Sequence, residues 1–123
     1  MADAYRDLIA WRKATQLALE IYRSTQAFPR AEIYGLTSQM RRAAVSIPSN
    51  IAEGKGRHSR KEFVQFLFRA RGSLLEVETQ LYIAHELRYL ETSAFQRIQG
   101  EAVELGRIPS GLIKSIQDQL GAA

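Results

Sequence analysis

Apolar residues recur at three- and four-residue steps along most of the chain, and no stretch alternates with the period of two that marks a half-buried strand. Leu8, Trp11, Ala14, Leu17, Ala18, Ile21 and Tyr22 share one face of a first helix expected over residues 8–27, with Asp7 as its N-cap and Phe28-Pro29 as its stop. Trp11 falls on that stripe and so reads as a core or interface anchor. Residues 30–35 are expected to form a turn or one short helical turn ending at Gly35. A second helix, over 36–54, carries Leu36, Met40, Ala43, Ala44, Ile47 and Ile51 inward. Pro48 lies inside it and has no N–H for the Ala44 carbonyl, which predicts a kink or a restart. Its neighbours Ala43, Ala44, Ser46, Ser49 and Ala52 are all small, which allows another helix to come close. Gly54 and Gly56 read as C-terminal stops in the left-handed conformation.

The third helix is expected over 60–89 and opens with a capping box, Ser59 to Glu62. Phe63, Leu67, Ala70, Leu74, Val77, Leu81 and Ala84 form a bundle seam along it. Phe68, Leu75, Tyr82 and Tyr89 make a second row that repeats every seven residues, parted from the seam by Arg71, Glu78 and His85. Two apolar rows mean either a second face to bury, against another subunit, or a wider core contact. A fourth helix over 94–119, opened by a box at Ser93 and Gln96, carries Phe95, Ile98, Ala102, Leu105, Leu112, Ile113, Ile116 and Leu120. Gly106, Pro109 and Gly111 predict a kink or break near Ile108, and residues 121–123 are expected to fray. Four helices with short connections give an all-α, up-down-up-down antiparallel four-helix bundle, kinked at Pro48 and near Pro109, in a single domain over 1–123.

Composition narrows what such a bundle could do. A chain of 123 residues can bury a core without covalent staples. The absence of cysteine excludes disulfides, thiolate metal sites and a Cys nucleophile, and suits a reducing cytosol. The first residues lack the apolar run of a signal peptide and no stretch has the length of a membrane span, so a cytoplasmic protein with no membrane partner is expected. The net charge of +4 is uneven: residues 30–71 hold nine Lys/Arg against three Glu, whereas residues 72–123 hold four against seven acids. That polarity fits an anionic partner, contact between identical subunits, or a merely well-solvated surface.

Candidate chemistry is sparse. The Glu-x-x-His pairs of a di-iron bundle are missing, because Tyr82 and Lys55 stand three residues before His85 and His58. The two histidines are too few for a zinc cluster, and no phosphate-loop or dinucleotide fingerprint occurs. Neither metal nor cofactor nor catalytic constellation is expected. Asn50, Glu53, Arg69, Ser73, Glu76 and Gln80 fall along a polar side of the second and third helices and read first as a hydrogen-bonded network fixing register. The catalytic alternative, with Glu53 or Glu76 as acid or base, would need a solvent-connected cavity and a raised carboxylate pKa. Lys55, Arg57, Arg60 and Lys61 surround the start of the third helix, where free backbone N–H groups also attract anions. With Arg41, Arg42 and Arg71, and with Arg69 unless it pairs within the polar side, they form a candidate nucleic-acid surface that would hold phosphates, RNA or DNA, without reading sequence.

The stretch YGLTSQMRRAAVSIPSNIAEGKGRHSRKEFVQFLFRARGSLLEVETQL, from Tyr34 to Leu81, closely resembles the 23S rRNA intervening-sequence protein family, and DLIAWRKATQLALEIYRSTQAFP matches that family's first helix. SIPSNIAEG and RARGSLLEVETQL occur at the separation the family shows. The resemblance implies a small bacterial four-helix bundle, no assigned biochemical activity, and assembly into a ring of five. The family is similar in turn to the accessory variability determinant proteins of diversity-generating retroelements, basic pentamers that associate with a reverse transcriptase and nucleic acid. Carried onto matching positions, Arg41, Arg42, Lys55, Arg57, Arg60 and Lys61 would be the basic surface. Between Gly106 and Gly111 the chain departs from the family's unbroken fourth helix. The leading expectation is a non-enzymatic homo-oligomer that binds nucleic acid and serves a nucleic-acid-processing partner, with Phe68, Leu75, Tyr82 and Tyr89 at its subunit interface. The alternative is an assembly scaffold with no nucleic-acid binding.

Overall fold

The computed structural model describes residues 4–122, the side chains of residues 4, 7 and 122 excepted. Helix α1 spans Ile9–Thr25, α2 Leu36–Lys55, α3 Arg60–Glu86 and α4 Thr92–Ala122, with single 3-10 turns at Ala4–Asp7 and Arg30–Glu32. Helix α2 packs against α1 and α3, α4 packs against α3 and over less length against α1, and the diagonal pairs make no close approach. This is the up-down-up-down four-helix bundle that the periodicity predicts. The seam of α3 lies inward as read: Leu67, Ala70, Leu74, Val77, Leu81 and Ala84 are buried against Leu17, Ile21, Met40, Ile47, Ile51, Ile98 and Leu105. Each large aliphatic side chain so buried contributes about 1.5–3 kcal/mol relative to exposure.

The helix ends differ from the expectation in instructive ways. Leu8, not Asp7, precedes α1 and offers no side-chain cap. Ser59 does cap α3, its Oγ accepting from the Glu62 N–H at 3.3 Å. Helix α4 starts earlier than the Ser93 box implied, because Phe95 N–H already donates to the Glu91 carbonyl at 2.8 Å. Neither Pro48 nor Pro109 ends its helix: α2 and α4 are each assigned without a break, and Pro109 is fully buried in the core. Helix α4 continues through Gly121, while residue 123 of the expected fraying tail lies outside the described residues.

Glycine works here by making room. Gly54 and Gly56 do not adopt the left-handed conformation expected of them. A Cβ on Gly54 would stand 2.6 Å from the Phe66 Cβ and 3.0 Å from Phe63 Cδ1, so the residue lets α2 and α3 touch. Gly106 does the same for α4, where a Cβ would lie 3.2 Å from Leu74 Cδ2.

The left-handed residue is instead Arg88, with φ 64°, just past the end of α3. There Tyr89 N–H bonds the Ala84 carbonyl and Arg88 N–H the His85 carbonyl, both at 2.9 Å, which is the Schellman pattern without its usual glycine. Helix α3 therefore stops before residue 89. The reversal turns Tyr89 inward onto Phe28, with ring centroids 5.4 Å apart. Its hydroxyl donates to Glu32 Oε2 at 2.9 Å, while Glu32 Oε1 accepts from the Leu36 N–H that opens α2. That hydrogen bond, with burial and the carboxylate charge, raises the Tyr89 pKa.

Candidate nucleic-acid interface

The short turn between α2 and α3 fixes where the positive charge goes. Because the two helices run antiparallel and touch at Gly54, the last residues of α2 and the first of α3 crowd one end of the bundle. Lys55, Arg57, His58, Arg60 and Lys61 are all exposed there. Lys55, Arg57, His58 and Arg60, with Ser115 and Gln119 of α4, border an open groove of about 380 Å³. The cations are held in different ways. Lys55 Nζ lies 5.8 Å from the centre of the Phe63 ring, and Arg60 donates to Gln119 Oε1. Arg57 donates to Glu53 Oε2 at 2.9 Å, one helical turn away, and both groups are solvated enough for the pair to be weak.

Arg57 also lies 5.0 Å from the centre of the nearly buried Phe66 ring, and Arg69 lies 4.6 Å from it. Two guanidiniums are thus ordered by a single phenylalanine, an attraction worth about 0.5–1 kcal/mol per contact at exposed sites. The sequence leaves Arg69 between the polar network and an extension of the basic surface; in the structure its guanidinium turns to the Phe66 ring, beside Arg57. The signal for this is its i, i+3 spacing from Phe66, combined with an aromatic residue in an otherwise polar stripe.

The remaining basic candidates stand elsewhere. Arg41 is bound between α1 and α2, its Nε donating to Thr25 Oγ1 at 2.9 Å and its guanidinium 4.8 Å from the Tyr22 ring centre. Arg42 is exposed on the α3 side of α2, roughly 20 Å from Lys55 at 1.5 Å of helix rise per residue. Arg71 lies 4.8 Å from the Phe68 ring centre, halfway along α3. Only Lys55, Arg57, Arg60 and Lys61 converge, with Arg69 beside them.

The expected polar network closes only in part. Ser46 and Ser73 share a 2.6 Å hydrogen bond across the α2/α3 contact, and Asn50 Nδ2 donates to the Ser46 carbonyl at 2.8 Å. Glu53 turns to Arg57, Arg69 to Phe66, and the buried Gln80 Oε1 meets no donor. The hub is Ser46, which counted in the sequence only as one of several small residues. In the outer row Phe68, Leu75 and Tyr82 are exposed, at 41%, 58% and 56%, and Tyr89 has left the row for the reason given above. Among the described residues no three His, Asp or Glu side chains are placed to hold a metal, and no helix is long and apolar enough to cross a membrane.

An all-α bundle whose one cation-rich end is built by an α-turn-α unit is the class of protein that fold and surface define. The family follows from comparison: residues 6–111 match the model described as 23S rRNA-intervening sequence protein, and the chain belongs to that family. A crystal structure of a protein of unknown function from the S23 ribosomal protein family of Bacteroides thetaiotaomicron is similar, with a TM-score of 0.78 and 22% identity over 86% of this chain and 99% of that chain. At that identity the likeness establishes the shared fold. A search of curated proteins finds no match.

Proposed function

We propose that the protein is a non-enzymatic, oligomeric cytoplasmic bundle that binds RNA or DNA through phosphates at the α2–α3 end, as an accessory to a nucleic-acid-processing partner. The observation that carries this reading is the convergence of Lys55, Arg57, Arg60 and Lys61 on one end, continued along α3 by Arg69. Phosphate contacts of this kind make affinity fall steeply with salt and carry little sequence information. Labelled RNA and DNA titrated across a salt series should bind with a negative log–log slope of roughly 3–4, about 0.7–0.9 per phosphate engaged. Replacing Lys55, Arg57 and Arg60 together with Glu should abolish binding while the helical circular dichroism is kept. Unchanged binding by that variant would overturn the site.

The exposed row Phe68, Leu75 and Tyr82 favours a second reading, an assembly scaffold without nucleic acid. It predicts no binding at low salt by an intact oligomer. Leu75→Glu would then reduce the mass in solution, with five copies as the expectation from family resemblance.

A further inference from the structure

We infer that the groove between the α2–α3 turn and the last turns of α4 seats an unpaired base, so that the protein binds single-stranded nucleic acid in preference to duplex. The inference rests on the phosphate-binding reading of this end and adds to it what the cations face. Lys55, Arg57 and Arg60 stand on one side of the groove of about 380 Å³, and Ser115 and Gln119 of α4 on the other. Between them lie Phe63, Leu112 and Ile116, each half-buried against the core. Arg60 donates across the groove to Gln119 Oε1 and ties the two sides together. The α4 side comes from beyond residues 6–111, so it is built by a part of the chain that the family match does not reach.

A cationic surface alone would favour duplex, which carries one charge per about 1.7 Å of its axis against about 3.4 Å along one strand. Phe63 reverses that order. Its ring lies against the α2 backbone at Gly54, where a Cβ would come within 3.0 Å of Phe63 Cδ1, so packing and not the ligand fixes its position. Lys55 Nζ lies 5.8 Å from the ring centre. A phosphate that draws this amine outward leaves the ring to the base attached to it. Stacking of a base on an aromatic ring tolerates any sequence, and cations along the backbone supply the rest of the affinity. A base paired within a duplex is covered on both faces by its neighbours and does not reach a half-buried ring beneath the cations. The Ser115 hydroxyl and the Gln119 amide add donors and acceptors for a base edge. Duplex and free inorganic anions would use the cations and leave the apolar floor of Phe63, Leu112 and Ile116 idle.

The test is fluorescence anisotropy of labelled single strands without self-complementarity, and of duplexes of the same length, titrated with the full chain at one low salt concentration. The single strand should bind about tenfold tighter or more. Phe63→Leu keeps an apolar group against Gly54 and removes the aromatic face; it should weaken single-strand binding about fivefold or more and leave duplex affinity unchanged. Ser115→Leu, at an exposed position, fills the groove without changing charge and should have the same selective effect. Should Phe63→Leu lose helical circular dichroism, Ser115→Leu carries the decision. Duplex bound as tightly as single strand overturns the inference and leaves the phosphate-binding reading standing. So does a preference for single strands that neither substitution reduces. Failure of both nucleic acids to bind overturns the inference together with the reading on which it rests.

Discussion

Helices α1 and α4 meet through charge, whereas α2 and α3 meet through the lack of side chain. Across α1/α4, Lys13 pairs with Glu104 at 3.1 Å and Arg97 pairs with Glu20, while within α4 Arg97 also approaches Glu101 at 3.9 Å. Long side chains reach over a wide groove there, and opposite charges cancel. Across α2/α3 the contact is made by Gly54, Ala43 and the Ser46–Ser73 pair. Backbones that approach this closely push longer side chains to the rims of the groove, where their charges stay available. Positive charge therefore stays exposed at the closely packed α2/α3 side of the bundle, whereas Lys13 and Arg97 are paired across α1/α4.

The largest effect should come from removing the close approach. Gly54→Ala should destabilise the bundle by about 1–3 kcal/mol, because the added Cβ meets Phe66 at its own Cβ, which cannot swing aside. Gly72→Ala on the open face of α3 should stabilise by about 0.5–1 kcal/mol through helix propensity alone, since a Cβ there meets nothing within 4 Å. Urea unfolding of the two variants decides the matter; destabilisation of equal size in both would show that room between backbones is not what Gly54 provides.

A double-mutant cycle on Ser46→Ala and Ser73→Ala should return a coupling of about 0.5–1.5 kcal/mol, because Ser46→Ala leaves the partly buried Ser73 hydroxyl without this partner and Ser73→Ala leaves Ser46 only its bond from Asn50. The corresponding cycle on Glu20→Gln and Arg97→Gln across α1/α4 should give about 0.2–1 kcal/mol and shrink in high salt. A larger and salt-insensitive coupling for the ion pair would reverse the ranking of the two contacts.

The smallest effect should appear only in alkali. The Tyr89 hydroxyl bonds Glu32 while protonated, and its pKa is raised above the ordinary tyrosine value of 10.0. Its contribution is therefore complete below that ordinary value and is lost as pH rises through the higher folded one. Thermal unfolding of Tyr89→Phe should show a shallower decline than the parent protein in that window. Parallel declines would place the alkaline loss elsewhere.

Much of this architecture was legible in residue spacing. The seam of α3 follows the three- and four-residue steps from Leu67 to Ala84, and Ser59 caps the helix as its type and position require. The basic turn was legible as well, because its members are close in sequence and stay close in any hairpin of helices. The choice between the two sides open to Arg69, and the inward turn of Tyr89, were not. The side of the helix that Arg69 serves depends on the Phe66 ring wedged between α2 and α3, and the departure of Tyr89 depends on a left-handed arginine that no spacing rule anticipates. A restart after Pro48 and a break near Pro109 are among the outcomes that local rules allow, because those rules treat the helix as isolated; both helices run on. In the bundle, Pro109 and Gly106 sit in packed positions where burial against neighbouring helices outweighs a missing hydrogen bond or a weak propensity.

The sequence alone determined that four amphipathic helices form, in which order, and that a basic hairpin joins the second to the third, since all of these rest on periodicity and on neighbours within a turn or two. Tertiary structure decided which cations remain free, which polar side chains find partners, and which do not. Those outcomes turn on ångström-scale distances between helices, set by the packing of residues far apart in the chain.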